Sequence, residues 1–169
     1  TVTSTLPIMT DNVTFTFGGK SETVQLVVVP DDRTSDLGDY VCLEDESKAP
    51  LALRDGDVYL SKSSQLVLGI QPGDTAQVQD SSLNVADVEV SDISLNYLGN
   101  TLYMTQSTYE RAFGRSTRLN GIFALLKGSS ADQIAFSKQL KNDGWLTLSS
   151  TAEHWENYEA NFTIINSVV

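Results

Sequence analysis

The sequence holds one cysteine, Cys42, and one histidine, His154. A lone thiol rules out an intrachain disulfide, and one Cys with one His cannot complete a structural zinc site, which takes four such ligands. Any Ser-His-Asp or Cys-His mechanism would have to use His154. Basic residues are scarce too: 11 Lys and Arg stand against 22 Asp and Glu, a formal charge of -11. That balance speaks against nucleic-acid binding, which neutralises phosphate with Lys and Arg, and against adsorption to anionic lipid. No run reaches the ~20 apolar residues of a membrane span, and no basic-then-apolar signal pattern opens the chain. A phosphate-cradling GxxxxGK loop, a GxSxG nucleophile elbow and internal repeats are also missing.

What is present is globular. The 169 residues are 40% hydrophobic and 20% charged, enough to bury roughly 70% of the unfolded surface without a metal or disulfide. Strands are expected at Thr3 to Met9, at Asn12 to Phe17, where Val13, Phe15 and Phe17 alternate with polar residues, and at Glu22 to Val29. That alternation is the period of a half-buried strand. Val58 to Leu60 and Ala76 to Gln79 read as further strands, with the turn Gln71-Pro72-Gly73-Asp74 between them. Proline there fixes the first corner and glycine permits positive φ at the second. Val85 to Leu95 reads as one long strand whose apolar spacing slips near Asp92, the mark of a bulge or a change of partner. Helices are expected over Lys62 to Leu68, Gln106 to Phe113 and Ala131 to Asn142, capped by Ser61, Thr105 and Ser129 or Ser130 and stopped by Gly69, Gly114 and Gly144. These are the usual N-cap and C-cap residue types.

Four groups of residues invite a functional reading. Asp31, Asp32, Asp36 and Asp39 could supply calcium oxygens, but the spacing is not that of an EF-hand, and the acidic stretch 31–57 reads as a solvated loop. Cys42 lies in the apolar tetrapeptide Tyr40-Val41-Cys42-Leu43 and reads as a buried, inert thiol. His154 reads as a surface histidine on a helix. Arg111, Arg115 and Arg118 form a cluster that reads as a rim pairing with the acidic stretch. Ser150 with Glu153 forms a capping box that opens a final helix. On it Trp155, Tyr158, Phe162, Ile165 and Val169 recur at steps of three and four. That is a continuous apolar stripe, and polarity falls toward its end. The chain opens without Met and stops on Val168-Val169, so a boundary cut from a larger protein and a continuation into a membrane span are expected.

Several motifs stand in a familiar order: Leu43-Glu44-Asp45 through Asp55-Gly56-Asp57-Val58-Tyr59-Leu60-Ser61, Leu68-Gly69-Ile70-Gln71-Pro72-Gly73-Asp74, Asn96 to Met104 followed by Tyr109 to Gly114, and Asn166-Ser167-Val168-Val169. Over residues 26 to 169 the chain resembles the extracellular domain of FtsX-like ABC-transporter permeases, in the Gram-positive branch related to MacB-type exporters. The resemblance implies an extracytoplasmic, non-enzymatic domain on the outside of the cell membrane, with no cofactor, no metal and no catalytic residue. Its implied partners are the membrane-embedded remainder of the permease, a cytoplasmic ATP-binding subunit and an extracytoplasmic protein, peptide or lipid substrate. The final-helix stripe would then act as a mechanical connector. The expected fold is α+β with two lobes. Residues 1–30 with 120–169 would form a β-α-β-α sandwich lobe, and residues 31–119 a mostly β insertion with short helices. Two other classes stay open: a secreted or surface-anchored ligand-binding module, and a small hydrolase with two carboxylates facing each other in a cleft.

Overall fold

A computed structural model of the chain describes residues 2–95 and 99–143, together with Ser150 and Ala152. These residues form eight strands: β1 (Val2–Phe17), β2 (Lys20–Val29), β3 (Val58–Ser61), β4 (Thr75–Gln79), β5 (Val85–Glu89), β6 (Asp92–Ser94), β7 (Thr101–Thr105) and β8 (Gly121–Leu126). Helices are α1 (Lys62–Leu68), α2 (Gln106–Phe113) and α3 (Ser130–Asn142), with a 3-10 helix over Asp31–Asp39. The class is α+β, as expected. Strand order is β5-β4-β1-β2-β7-β3-β6, with β8 also paired to β1. β2 runs parallel to β7 and β3 parallel to β6, while β1–β2, β1–β4, β4–β5 and β3–β7 are antiparallel.

The centre of this sheet is apolar on both faces, which is why β2, β3 and β7 read as nearly unbroken hydrophobic runs. On one face Val24, Leu26 and Val28 join Val13, Phe15, Leu60, Leu102 and Met104 beneath Leu68 of α1 and Tyr109 of α2. On the other face Val27, Val29, Tyr59 and Tyr103 pack with Leu6, Ile8 and the irregular stretch that carries Leu37, Leu43 and Leu53. Burial lifts the Tyr103 hydroxyl to about 12, so it stays protonated across the physiological range.

Local chemistry sets the turns. Gly18 and Gly19 at φ 56° and 78° close the β1–β2 hairpin in two residues, the twist-matched geometry in which both central positions need positive φ. Gly73 sits at φ 90° behind Pro72, and Asp74 N donates to Gln71 O at 3.0 Å, the expected turn. Thr105 caps α2 by accepting from Thr108 N, and Gly114 ends it at φ 64°. Ser129 and Asp132 form a reciprocal capping box on α3.

Four expectations change. The two expected N-terminal strands are one, because Asn120 bridges Thr10 by accepting from its N–H at 2.7 Å and donating to its carbonyl at 2.8 Å. Val85 to Leu95 divides after Glu89: β5 pairs with β4, whereas β6 pairs with β3, the change of partner that the slipped spacing indicated. Ser61 precedes α1 without capping it. Its hydroxyl instead accepts from Thr101 N at 3.1 Å. The partition also differs from 1–30 with 120–169 against 31–119. Residues 5–123 form one compact unit, and residues 1–4 with 124–169 a second. The reason is pairing: β2 is hydrogen-bonded to β7 from Gln25 to Val29, and β1 to β4 at Thr14 to Thr16. In the second unit Thr3 donates to Leu125 O at 3.0 Å, and α3 buries Ile134 and Ser137.

Candidate functional site

The stripe Trp155, Tyr158, Phe162, Ile165 and Val169 lies outside the described residues, as do His154 and the expected helix stop at Gly144. Nearby, Ser150 is buried and Ala152 is helical. No helix among the described residues is long and apolar enough to cross a membrane.

The acidic stretch is organised by internal donors. Asp31 accepts from the backbone and hydroxyl of Ser107, which ties the 3-10 helix to the first turn of α2, and Arg33 pairs with Asp36. Among the described residues no group of three or more His, Cys, Asp or Glu side chains is placed to hold a metal ion. Asp55 receives Arg111 at 2.8 and 2.9 Å and Thr108 Oγ1 at 3.2 Å. The Arg111 hydrogen bond is the main reason its carboxyl lies below the usual range. Arg111 thus pairs with the acidic stretch as expected. Arg115 pairs instead with Asp80 at 3.0 Å, a carboxylate the sequence did not single out.

Cys42 is exposed, contrary to its reading as a buried thiol: in Tyr40-Val41-Cys42-Leu43 it is Leu43 that enters the core. Its hydrogen bond to Glu44, with that carboxylate's charge, raises the thiol's pKa. This is the wrong direction for a nucleophile, which acts as the thiolate.

A groove of about 290 Å³ is lined by Asp45, Glu46, Gln65, Gln71 and Asp92 among others. Its polar groups bind one another. Lys62 reaches both Glu46 and Gln65, Gln65 donates to Gln71 at 3.3 Å, and Asp92 accepts from Ile93 N at 2.8 Å. Asp45 accepts from Ser47 and Ala49, and the Ser47 hydroxyl is the main cause of its lowered pKa.

A second organised polar centre among the described residues is the β4–β5 turn, where the sequence did not show the role of Asp80. Asp80 is 2% exposed there. Its Oδ1 accepts from Ser82 N at 2.9 Å and Asn84 N at 2.8 Å, and its Oδ2 accepts from Asn84 Nδ2 at 2.9 Å and from Arg115. Burial raises the carboxyl, but the hydrogen bonds from Asn84 and Ser82 and the Arg115 charge outweigh it and leave the pKa lowered. The available signal was Asp-Ser-Ser with Asn four residues after the Asp, the residue types of an Asx turn.

No protein-family model and no curated protein matches the chain. Among solved structures, the extracellular domain of the noncanonic ABC-type transporter YknZ from Gram-positive bacteria aligns with 84% of this chain and 76% of its own, at TM-score 0.53 and 15% identity. The periplasmic region of MacB from Actinobacillus actinomycetemcomitans aligns over 83% of this chain and 67% of its own, at TM-score 0.49 and 18% identity. The chain therefore has the fold of the YknZ extracellular domain.

Proposed function

We propose that the chain is the extracytoplasmic domain of an ABC-transporter permease subunit. In this reading it is a non-enzymatic element that couples cytoplasmic ATP hydrolysis to substrate handling, or to activation of a partner, outside the membrane. The observation that carries the reading is the fold shared with the YknZ extracellular domain over 84% of the chain, taken with the motif order from Leu43 to Val169. A likeness in fold alone leaves activity open, and two features of the described residues support the reading. The groove's side chains satisfy one another, and the Cys42 thiol is held protonated by Glu44. The partners in this reading are the membrane-embedded remainder of the same permease, an ATP-binding subunit, and an extracytoplasmic protein, peptide or lipid. The stripe Trp155, Tyr158, Phe162, Ile165 and Val169 is the proposed connector to the membrane.

The reading frame around residues 1–169 tests this together with a pull-down. The expected result is apolar spans of about 20 residues beside this segment and co-purification from membranes with an ATP-hydrolysing subunit. A wall anchor or stalk with no such subunit would instead establish a surface-anchored ligand-binding module. In the intact transporter, Asn161→Pro should impair ATP-driven activity without unfolding the domain, because proline breaks helix continuity.

A further inference from the structure

Two turns in the unit 5–123 are built alike. In each, an Asp at the first position donates its N–H to the carbonyl of the fifth residue, and its own carbonyl accepts from the fourth: Asp45 with Ala49 and Lys48, Asp80 with Asn84 and Leu83. In each, the Asp Oδ1 accepts from the backbone N–H of the third and fifth residues. Each drives its fourth residue into the left-handed region, Lys48 to φ 65° and Leu83 to φ 66°. Glycine or asparagine adopts that conformation at least cost. Since one turn carries Lys and the other Leu, the turn does not require an apolar side chain at this position.

Leu83 is 75% exposed, so the core does not require it either. It is also not alone. Arg115 is bonded to Asp80, Ser81 to Asp11 at 3.1 and 3.0 Å, and Asn120 to Thr10. These contacts hold the base of the turn, and Val85, which opens β5, is 50% exposed. A backbone strained away from its preferred region and held by a buried carboxylate, with an apolar side chain at its tip, is the pattern expected where preorganisation serves recognition.

We propose that this tip, with Leu83 as its anchor and Val85 two residues on, is a docking point for a second, different protein that offers an apolar pocket with a neutral or basic rim. Charge decides among the occupants. At a formal charge of -11 the chain is repelled by anionic lipid and by a second copy of itself. The exposed side chains that follow Val85 on β5, Asp87 and Glu89, favour a basic rim. This inference rests on the turn geometry and does not depend on the transporter reading.

The test is photo-crosslinking in the protein's own cells, with p-benzoylphenylalanine placed at position 83, or at 48 in the sister turn as the control. The expected result is an adduct with one other polypeptide from position 83 and none from position 48. With the photoreactive residue moved to 85, Leu83→Asn should lower the adduct yield about tenfold or more, the size of a lost interface anchor. The urea midpoint of the Leu83→Asn chain should not fall, because asparagine accepts the left-handed conformation. The proposal is overturned by an equal adduct from position 48, by an adduct with a second copy or with lipid, or by no adduct at all. It is also overturned if Leu83→Asn leaves the yield unchanged or lowers the midpoint, since Leu83 would then serve the fold.

Discussion

Removing the Asp80 carboxylate tests the turn on which much of this surface depends. Asp80→Ala leaves four donors without their acceptor: Ser82 N, Asn84 N, Asn84 Nδ2 and Arg115. A hydrogen bond to a charged acceptor contributes about 1.5–3 kcal/mol, but these do not add in full. Ser82 and Asn84 are exposed and regain water, and Arg115 is 40% exposed, which limits its ion pair to at most about 1 kcal/mol. The expected cost is about 3 kcal/mol for Asp80→Ala and roughly half that for Asp80→Asn, which keeps one acceptor oxygen. Arg115→Ala should cost under about 1 kcal/mol. Urea unfolding followed by circular dichroism measures all three. The pH dependence has a definite sign. The folded carboxyl has a pKa below the ordinary 3.8, so protons bind the unfolded chain first and its stabilisation is complete above about pH 5. It is then lost as pH falls below 3.8 and through the folded value. The wild type minus Asp80→Asn difference should shrink in that window and stay flat above it. An Asp80→Ala cost below about 1 kcal/mol, or a difference that grows in acid, would refute the reasoning.

Gly73→Val forces a β-branched residue to φ 90° and should destabilise by about 1 kcal/mol or more, while an unchanged urea midpoint would contradict the turn. Asn120→Asp removes the donor to Thr10 O and sets a carboxylate against that carbonyl. It should cost about 1–2 kcal/mol by urea unfolding. Added calcium should leave the melting temperature where magnesium leaves it. A rise of several degrees specific to calcium would show that the carboxylates of residues 31–39 do more than hold Ser107 and Arg33.

Local signals were legible wherever a neighbour in sequence supplies the physics. The alternation from Val13 to Phe17, the Thr105 cap with Gly114, the Pro72-Gly73 turn and the slipped spacing near Asp92 all reappear in the fold. What escaped depends on partners far along the chain. β1 continues through polar Thr10 and Asp11 because Asn120, 110 residues away, holds the Thr10 backbone, and Ser81, 70 residues away, donates to the Asp11 carboxylate. Ser61 had the residue type of a cap, but Thr101, 40 positions on, takes its hydroxyl. The 3-10 helix over Asp31–Asp39 has one buried apolar residue, Leu37, too few to show a period. Cys42 sits in an apolar run, yet the run gives its burial to Leu43. At Asp80 the partners Ser82 and Asn84 are local, and what escaped was Arg115, 35 residues on.

Cys42 offers the most direct measurement of where this domain lies. It is the one cysteine of the 169 residues and it is exposed, so a membrane-impermeant maleimide can reach it without unfolding. Intact cells carrying the full-length protein would be treated at mildly alkaline pH, to offset the Glu44 effect on the thiol, and the Cys42 peptide quantified by mass spectrometry. The account predicts labelling of Cys42 in intact cells at the level seen after permeabilisation. Labelling that appears only after permeabilisation would place the domain inside the cell and contradict it.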